Sequence, residues 1–272
     1  MPVSFKNVFL LILLFFAVSS VGAQGSDSAR VQLGSATAKN GFLNETEIAG
    51  KFNNWRTDPE AKTWLAFMGY KYADIESVTA TKPHGQKADV EVSVRSAGVL
   101  KKEGISIKLV SGPKGFNQID KRWLSHYVEM WKMPQDIAAA LRLFVGEAKP
   151  ERPGRDPDRT YLNELETGVQ KTIVEFFSAH RDEIISDLFE GDGVHSAKWI
   201  MVAQRSSEKP RWVLRSIDYA KKFFGGGKIE ITPRGNLKVG RITVQRKGGD
   251  GGRDTAKMLQ FKIDPALLFE GT

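Results

Sequence analysis

Two short segments in the first half of the chain alternate apolar and polar side chains. They are "KADVEVSVR" at 87–95 and "GISIKLV" at 104–110, and the glycine-containing stretch between them has the composition of a turn. A period of two is typical of half-buried β-strands. We therefore expect the two segments to be neighbouring antiparallel strands at the centre of a sheet.

This pairing places three polar side chains together. Ser106 and Lys108 are two residues apart and share one face of their strand, while Ile107 points into the core. An antiparallel partner brings Asp89 within about 5 Å of that face. A carboxylate, a hydroxyl and an ammonium group suit phosphodiester hydrolysis. Asp89 and the Ile107 carbonyl would hold a divalent metal, and Lys108 would orient a water or offset developing charge. The alternative is a solvent-facing salt bridge of little energetic value.

Composition narrows the chemistry further. The formal net charge of +8 over 272 residues favours an anionic partner, with nucleic acid first and an acidic membrane surface second. The absence of cysteine excludes disulfides, thiolate metal sites and a cysteine nucleophile. Because the four histidines are scattered, any metal would be held mainly by oxygen, which indicates a magnesium-like ion.

The organisation of the chain is predicted from changes in composition. Residues 1–23 resemble a secretory signal. A polar arm at 24–40 and a core unit at 41–146 follow, and 147–160, rich in proline and charge, is predicted to be a linker. The remainder, 161–272, is helical and then strand-rich.

The elements of the core alternate between helix and strand. Apolar spacing predicts a helix from 41 to 55, and Asp58 followed by Pro59 marks the start of a second. A strand is expected at about 74–81, before the two described above. A further helix is predicted over 117–131. The fold class is therefore α/β (α+β), with a mixed central sheet flanked by helices.

An aromatic side chain follows the strand that carries Lys108. In "SGPKGFNQ", Phe116 lies between Gly115 and Asn117, with Lys114 and Gln118 close by. An apolar wedge beside an amide side chain is suited to opening a base step from the minor groove. The alternative is that Phe116 packs into the core as a staple at a helix N-terminus.

Long stretches of the sequence resemble the HinP-type restriction endonucleases, which are MspI-related. The resemblance runs from about residue 31 to 269 and is carried by "QKADVEVSV", "ISIKLVSGPKGFNQIDKRWLSHYVEMWKMP", "LRLFVGE", "WIMVAQ", "RWVLRSI" and "PRGNLKVGRITVQRKGGDGGRDTAKMLQFKIDP". It implies a PD-(D/E)xK nuclease core, dependence on Mg²⁺, cleavage of GCGC, and ends carrying 5′-phosphate and 3′-hydroxyl groups. Phe116 and Gln118 fall on the minor-groove insertion pair of the family.

The resemblance also assigns the catalytic positions and shows one departure. Asp89 falls on the metal-binding aspartate and Lys108 on the catalytic lysine. Ser106 falls where the pattern commonly has glutamate and where the HinP-type enzymes have glutamine, and a serine offers only a hydroxyl. Glu45 is the acid expected to compensate. The alternative for Glu45 is an acid at a helix N-terminus, favoured by the helix dipole.

The strand-rich C-terminal portion is interpreted as the part that reads DNA. Residues 228–262 carry nine lysines and arginines against three acids. Arginine and lysine donate to guanine and aspartate accepts from cytosine, which fits a target made only of G and C. The alternative is a basic hairpin that touches phosphates alone. The candidate DNA-binding residues here are Arg234, Gln245, Arg246, Lys247, Asp250 and Arg253.

Together these observations predict a type II restriction endonuclease acting on double-stranded DNA. It would work as a monomer or dimer without a small-molecule cofactor, beside a GCGC-specific DNA methyltransferase. Two alternatives are a non-catalytic DNA-binding protein, favoured by Ser106, and an exported nuclease of low specificity, favoured by residues 1–23. If translation starts near Val31, the cytoplasm is expected, and otherwise export.

Overall fold

The computed structural model describes residues 39–83, 85–112, 115–152, 154–191, 193, 195–205, 209–249 and 253–270. The predicted signal, 1–23, and nearly all of the polar arm lie outside the described residues, as do Lys114 and Asp250. None of the helices in the described part of the chain has the length and apolar character needed to cross a membrane.

The first of two five-stranded sheets, sheet A, contains the predicted strand pair. Its order is β1-β2-β3-β5-β6, and only β3 and β5 are parallel, so the prediction of a mixed sheet is confirmed. The turn between β2 and β3 is short, and Val90 faces Ile105. The strands are β1 (Ile75–Thr81), β2 (Val90–Ser96), β3 (Val99–Val110), β5 (Trp199–Gln204) and β6 (Arg211–Ser216).

The second sheet, sheet B, is antiparallel throughout and has the order β4-β10-β9-β8-β7. Each sheet contains strands from both sides of 147–160, so the division of the chain at that segment stays a prediction. The strands are β4 (Asn117–Arg122), β7 (Ile229–Ile231), β8 (Leu237–Val239), β9 (Ile242–Arg246) and β10 (Leu259–Ile263).

Seven α-helices of the described part cover the sheets, and the caps of two of them follow from the sequence. The Asp58 side chain accepts from the Ala61 N–H with Pro59 in the first turn, as predicted. Gly146 ends α4 in the left-handed region, at φ +81°. The helices are α1 (39–53), α2 (Pro59–Phe67), α3 (Leu124–Met130), α4 (Gln135–Val145), α5 (Thr167–Ala179), α6 (Arg181–Phe189) and α7 (Ile217–Gly225).

Two hydrophobic clusters result. Helices α1 and α2 pack Phe52 and Trp64 against one face of sheet A, where Ile107 is also buried. The other face of sheet A shares a larger cluster with sheet B and helices α3 to α7, and Trp131 and Phe261 are fully buried there. Sheet A is therefore covered on both faces.

The prediction of a helix over 117–131 was wrong for residues 117–123. Residues Asn117–Arg122 form β4, and the helix begins only at Leu124. Ile119, Trp123 and Tyr127 have helical spacing, but β4 obtains its backbone hydrogen bonds from β10, more than a hundred residues away. Tertiary pairing overrides local periodicity here.

A buried carboxylate joins the two sheets. Asp120 of β4 accepts from the Tyr127 hydroxyl at 2.6 Å and from the Lys87 ammonium at 3.1 Å. Lys87 precedes β2 and also donates to the Ile119 carbonyl at 3.2 Å. Burial, together with the negative charge of Asp120, raises the pKa of Tyr127, so the hydroxyl keeps its proton. Lys87 thus connects sheet A to sheet B.

We expect Tyr127→Phe to lower the free energy of unfolding by about 1–3 kcal/mol, because Asp120 loses a buried hydrogen bond. Chemical denaturation measures this change. Tyr72→Phe is the matched control, since within the described residues the Tyr72 hydroxyl makes only a long, exposed contact with the Arg56 carbonyl. This substitution should change the free energy of unfolding by less than about 0.5 kcal/mol. Equal stability of both variants would contradict the role given to Asp120.

Candidate functional site

The site forms at the first residue of β2, beside the part of β3 that extends past it. Val90 is the first residue of β2, and the Asp89 N–H donates to the Ile105 carbonyl at 2.9 Å. Beyond this point β2 offers no backbone acceptor to β3. The Asp89 carboxylate takes that place, since its Oδ2 accepts from the Ile107 N–H at 2.6 Å. The carboxylate is therefore held by the backbone of the neighbouring strand.

Ser106 and Lys108 converge on the same carboxylate. The Ser106 hydroxyl donates to Asp89 Oδ2 at 3.4 Å, and the Lys108 Nζ lies 3.9 Å from that oxygen. The Lys108 side chain is only 14% exposed. A solvent-facing ion pair, the alternative interpretation, does not describe this arrangement.

Glu45 lies within electrostatic range of this group. It is on α1 and forms an ion pair with Lys82 at 3.2 Å. Burial raises the pKa of Glu45, and the charge of Asp89 raises it further, while Lys82 and Lys108 act to lower it. Because α1 extends back to residue 39, Glu45 is not in the first turn, and the alternative of a helix N-terminal acid is wrong.

The oxygen donors fit a hard divalent cation. The N–H and C=O of one strand residue point to the same side, so the Ile107 carbonyl is directed towards Asp89. The described residues contain no group of three or more His, Cys, Asp or Glu arranged to hold a metal. One or two carboxylates with a carbonyl suit Mg²⁺, which keeps several waters and takes further oxygens from phosphate.

Phe116 and Gln118 lie on an outer surface beside this site. Phe116 is 62% exposed, so the alternative of a core staple is wrong. The adjacent Gly115 N–H donates to the Asp264 carboxylate at 3.1 Å, which fixes the loop against the end of β10. Gln118 is exposed on β4. The third residue predicted for this surface, Lys114, lies outside the described residues.

Gln260 was missed in the sequence analysis. It is buried on β10, and its amide donates to Gln118 Oε1 at 2.9 Å. The Gln245 side-chain amide donates to Gln260 Oε1 from the other side, at 3.5 Å. The alternation in "LQFKI" places Gln260 on the outer face, but its neighbours depend on strand register, which the sequence does not reveal.

The other C-terminal candidates are divided between two places. Arg234 lies in the turn between β7 and β8, and it lines one hollow together with Gln245 and Arg246. Lys247 continues beyond β9, where its N–H donates to the Met258 carbonyl, and Arg253 precedes a 3₁₀-helix at Asp254–Lys257. Asp250 lies outside the described residues.

Comparisons with known proteins identify the family model and the fold that this chain resembles. The family model described as R.HinP1I restriction endonuclease matches residues 68–269. A crystal structure of restriction endonuclease MspI in complex with its cognate DNA superposes with a TM-score of 0.61 at 13% identity, covering 85% of this chain and 92% of that chain. At this identity the likeness shows the fold, a restriction-endonuclease fold. Comparison with curated proteins gives no match.

Substitutions at Asp89 should separate its structural role from its chemical one. Asp89→Asn retains an oxygen that can accept from the Ile107 N–H, whereas Asp89→Ala leaves that donor unpaired. We expect the alanine variant to lose about 1–3 kcal/mol of unfolding free energy and the asparagine variant distinctly less. Chemical denaturation without metal provides the comparison. Equal losses in both variants would show that the Asp89–Ile107 hydrogen bond does not stabilise the fold.

Proposed function

The chain belongs to the R.HinP1I restriction endonuclease family, and we propose that it hydrolyses duplex DNA at GCGC with Mg²⁺. It is a type II restriction endonuclease. The proposed products carry 5′-phosphate and 3′-hydroxyl ends, and the proposed functional partner is a GCGC-specific methyltransferase. The observation that carries the catalytic proposal is the convergence of Ser106, Ile107 and Lys108 on the Asp89 carboxylate.

Restriction endonucleases of this kind are generally dependent on a divalent metal. Asp89, the Ile107 carbonyl and Glu45 would hold it. When bound, such an ion polarises a phosphoryl oxygen and lowers the pKa of a coordinated water. The exposed side of the Asp89 carboxylate is the place where it would be held.

The roles of the protein residues follow from their positions. Water attacks phosphorus and the bond to the 3′-oxygen breaks, so no covalent enzyme intermediate is needed. Lys108, a cation 3.9 Å from Asp89, donates to the attacking water or stabilises negative charge on the phosphorane. Its shielding from solvent strengthens both interactions.

Ser106 supports a second candidate function. It places a neutral hydroxyl where the family commonly has a longer polar or acidic side chain, so the second carboxylate must come from Glu45. If Glu45 does not serve, the chain would bind GCGC without cutting it. Export as a nuclease of low specificity rests only on residues 1–23, which lie outside the described residues.

The DNA contacts are assigned to the outer surface beside the active site. Phe116 would insert at a base step and Gln118 would read the minor-groove edge. Lys114, Arg234, Gln245, Arg246, Lys247, Asp250 and Arg253 would contact the remaining bases and phosphates. The exposure of Phe116 and the position of Gln118 support this assignment.

A plasmid of known sequence should be cut by the purified chain into discrete fragments that map to GCGC, with Mg²⁺ but not with EDTA. Gel electrophoresis and end sequencing give the products. Lys108→Ala should abolish cutting, because the ammonium group is lost, yet spare binding in a gel-shift assay. Retarded but intact plasmid with the unsubstituted chain would favour the non-catalytic function, and a smear would favour low specificity.

Gln260 is predicted to orient Gln118. By donating to Gln118 Oε1, it leaves the Gln118 NH₂ directed outwards, towards purine N3 and pyrimidine O2 atoms in the minor groove. Gln260→Leu removes this constraint and should weaken binding to a GCGC duplex by about fivefold, equivalent to one hydrogen bond. Fluorescence anisotropy in EDTA measures the affinity.

A double-substitution cycle tests whether the two glutamines act together. If Gln260 acts through Gln118, the variant carrying both Gln118→Leu and Gln260→Leu should bind no more weakly than the worse single variant. Fully additive losses would show that Gln260 contributes independently. A duplex without GCGC serves as the reference, and its affinity should not change.

A further inference from the structure

A basic hollow of about 360 Å³ adjoins the outer surface of sheet B. Two parts of the sequence form it. One is 155–161, mostly within the segment predicted to be a linker, and the other is the turn and strand end at 234–246. The hollow is lined by Arg155, Arg159, Tyr161, Arg234, Asn236, Gln245 and Arg246.

The segment at 155–164 is fixed against the turn between β7 and β8. The Leu162 N–H donates to the Gly235 carbonyl at 3.1 Å, and the Asn163 side chain donates to the Pro233 carbonyl at 2.9 Å. Gly235 has a φ of +80°, and a Cβ there would lie 2.6 Å from Tyr161 and 2.9 Å from Arg155. Only glycine permits this approach, so the hollow is preformed.

Two arginines of this segment are held by an aromatic ring. The guanidinium carbons of Arg155 and Arg159 each lie 4.1 Å from the centre of the Tyr161 ring. Glu164 and Asp156 each bind one of the two arginines, at 3.0 and 3.1 Å. A guanidinium has five N–H donors, so these pairings leave others available.

The charge of the hollow is not balanced by the acids beside it. Four arginines line it, and the pairings with Glu164 and Asp156 offset two of them. A hollow lined by arginines and carrying surplus positive charge favours an anionic ligand.

We propose that this hollow binds a phosphate of the DNA backbone, with Arg155, Arg159 and Arg234 as its cations. The proposal rests on the proposed function. The hollow is continuous with the surface assigned to DNA, because Gln245 lines it and approaches Gln260, which in turn contacts Gln118. Arginines held against a ring and by carboxylates present a fixed array that suits the regularly spaced backbone rather than one base.

The test is the salt dependence of DNA binding by the full chain in EDTA, measured by anisotropy on two duplexes, one with GCGC and one without. The variants are Arg155→Gln, Arg159→Gln and Arg234→Gln. The control is Lys101→Gln, an exposed residue on the half of β3 remote from Lys108. Thermal unfolding shows whether each variant is folded. The Arg234 side chain makes no hydrogen bond or ion pair with another described residue. If the other two variants unfold, Arg234→Gln therefore provides the test of the proposal.

Each arginine-to-glutamine substitution should make the plot of the logarithm of the DNA association constant against the logarithm of salt concentration shallower by about 0.9, since one fewer counterion is released. Both duplexes should be weakened equally, Arg234→Lys should restore the slope, and Lys101→Gln should leave it unchanged. Losses confined to the GCGC duplex would overturn the proposal in favour of a base contact. If the unsubstituted chain binds DNA but the variants keep its slope, the phosphate site is wrong and the proposed function stands. If the unsubstituted chain does not bind DNA, the proposed function is wrong as well.

Discussion

The buried carboxylate of Asp120 is the polar interaction that fixes the two sheets relative to each other beside their shared hydrophobic cluster. Asp120, on β4 of sheet B, accepts from Tyr127 of the adjacent helix α3 and from Lys87, which precedes β2 of sheet A. A buried charge is tolerated only while its partners remain in place. Since Lys87 is two residues before Asp89, the contact that holds sheet B against sheet A also fixes the chain where it enters the candidate active site. The same contact therefore contributes to the stability of the fold and to the geometry of the candidate site.

The candidate site itself results from a difference in strand length. In sheet A, β2 begins only at Val90, whereas the neighbouring β3 extends past that point to Val110. The Asp89 carboxylate takes the place of the next backbone acceptor. A carboxylate bound in this way is oriented before any ligand arrives. Orientation matters more here than in a site with several acids, because Ser106 provides no charge and Glu45 is carried by a separate helix.

The parts of the structure that could be predicted from the sequence are the local ones. Asp89 faces Ser106 and Lys108 because β2 and β3 form a hairpin, whose pairing is set by a short turn. In contrast, β4 was mistaken for helix because its partner, β10, lies far away in the chain. The same distance concealed the contact of Gln260 with Gln118 and the packing of Tyr161 against Gly235. Periodicity reports which face of an element is buried, but it carries no information about which distant element covers that face.

The proposed recognition surface and the proposed catalytic strand are joined by a short path. Asp264, just after β10, accepts from the Gly115 N–H, and the loop that contains Gly115 begins where β3 ends, two residues after Lys108. Phe116 is the next residue along. The proposed wedge and the proposed catalytic group are each held by a hydrogen bond between a backbone N–H and a carboxylate, at Gly115 and at Asp89. Both are therefore oriented by the fold before any ligand binds.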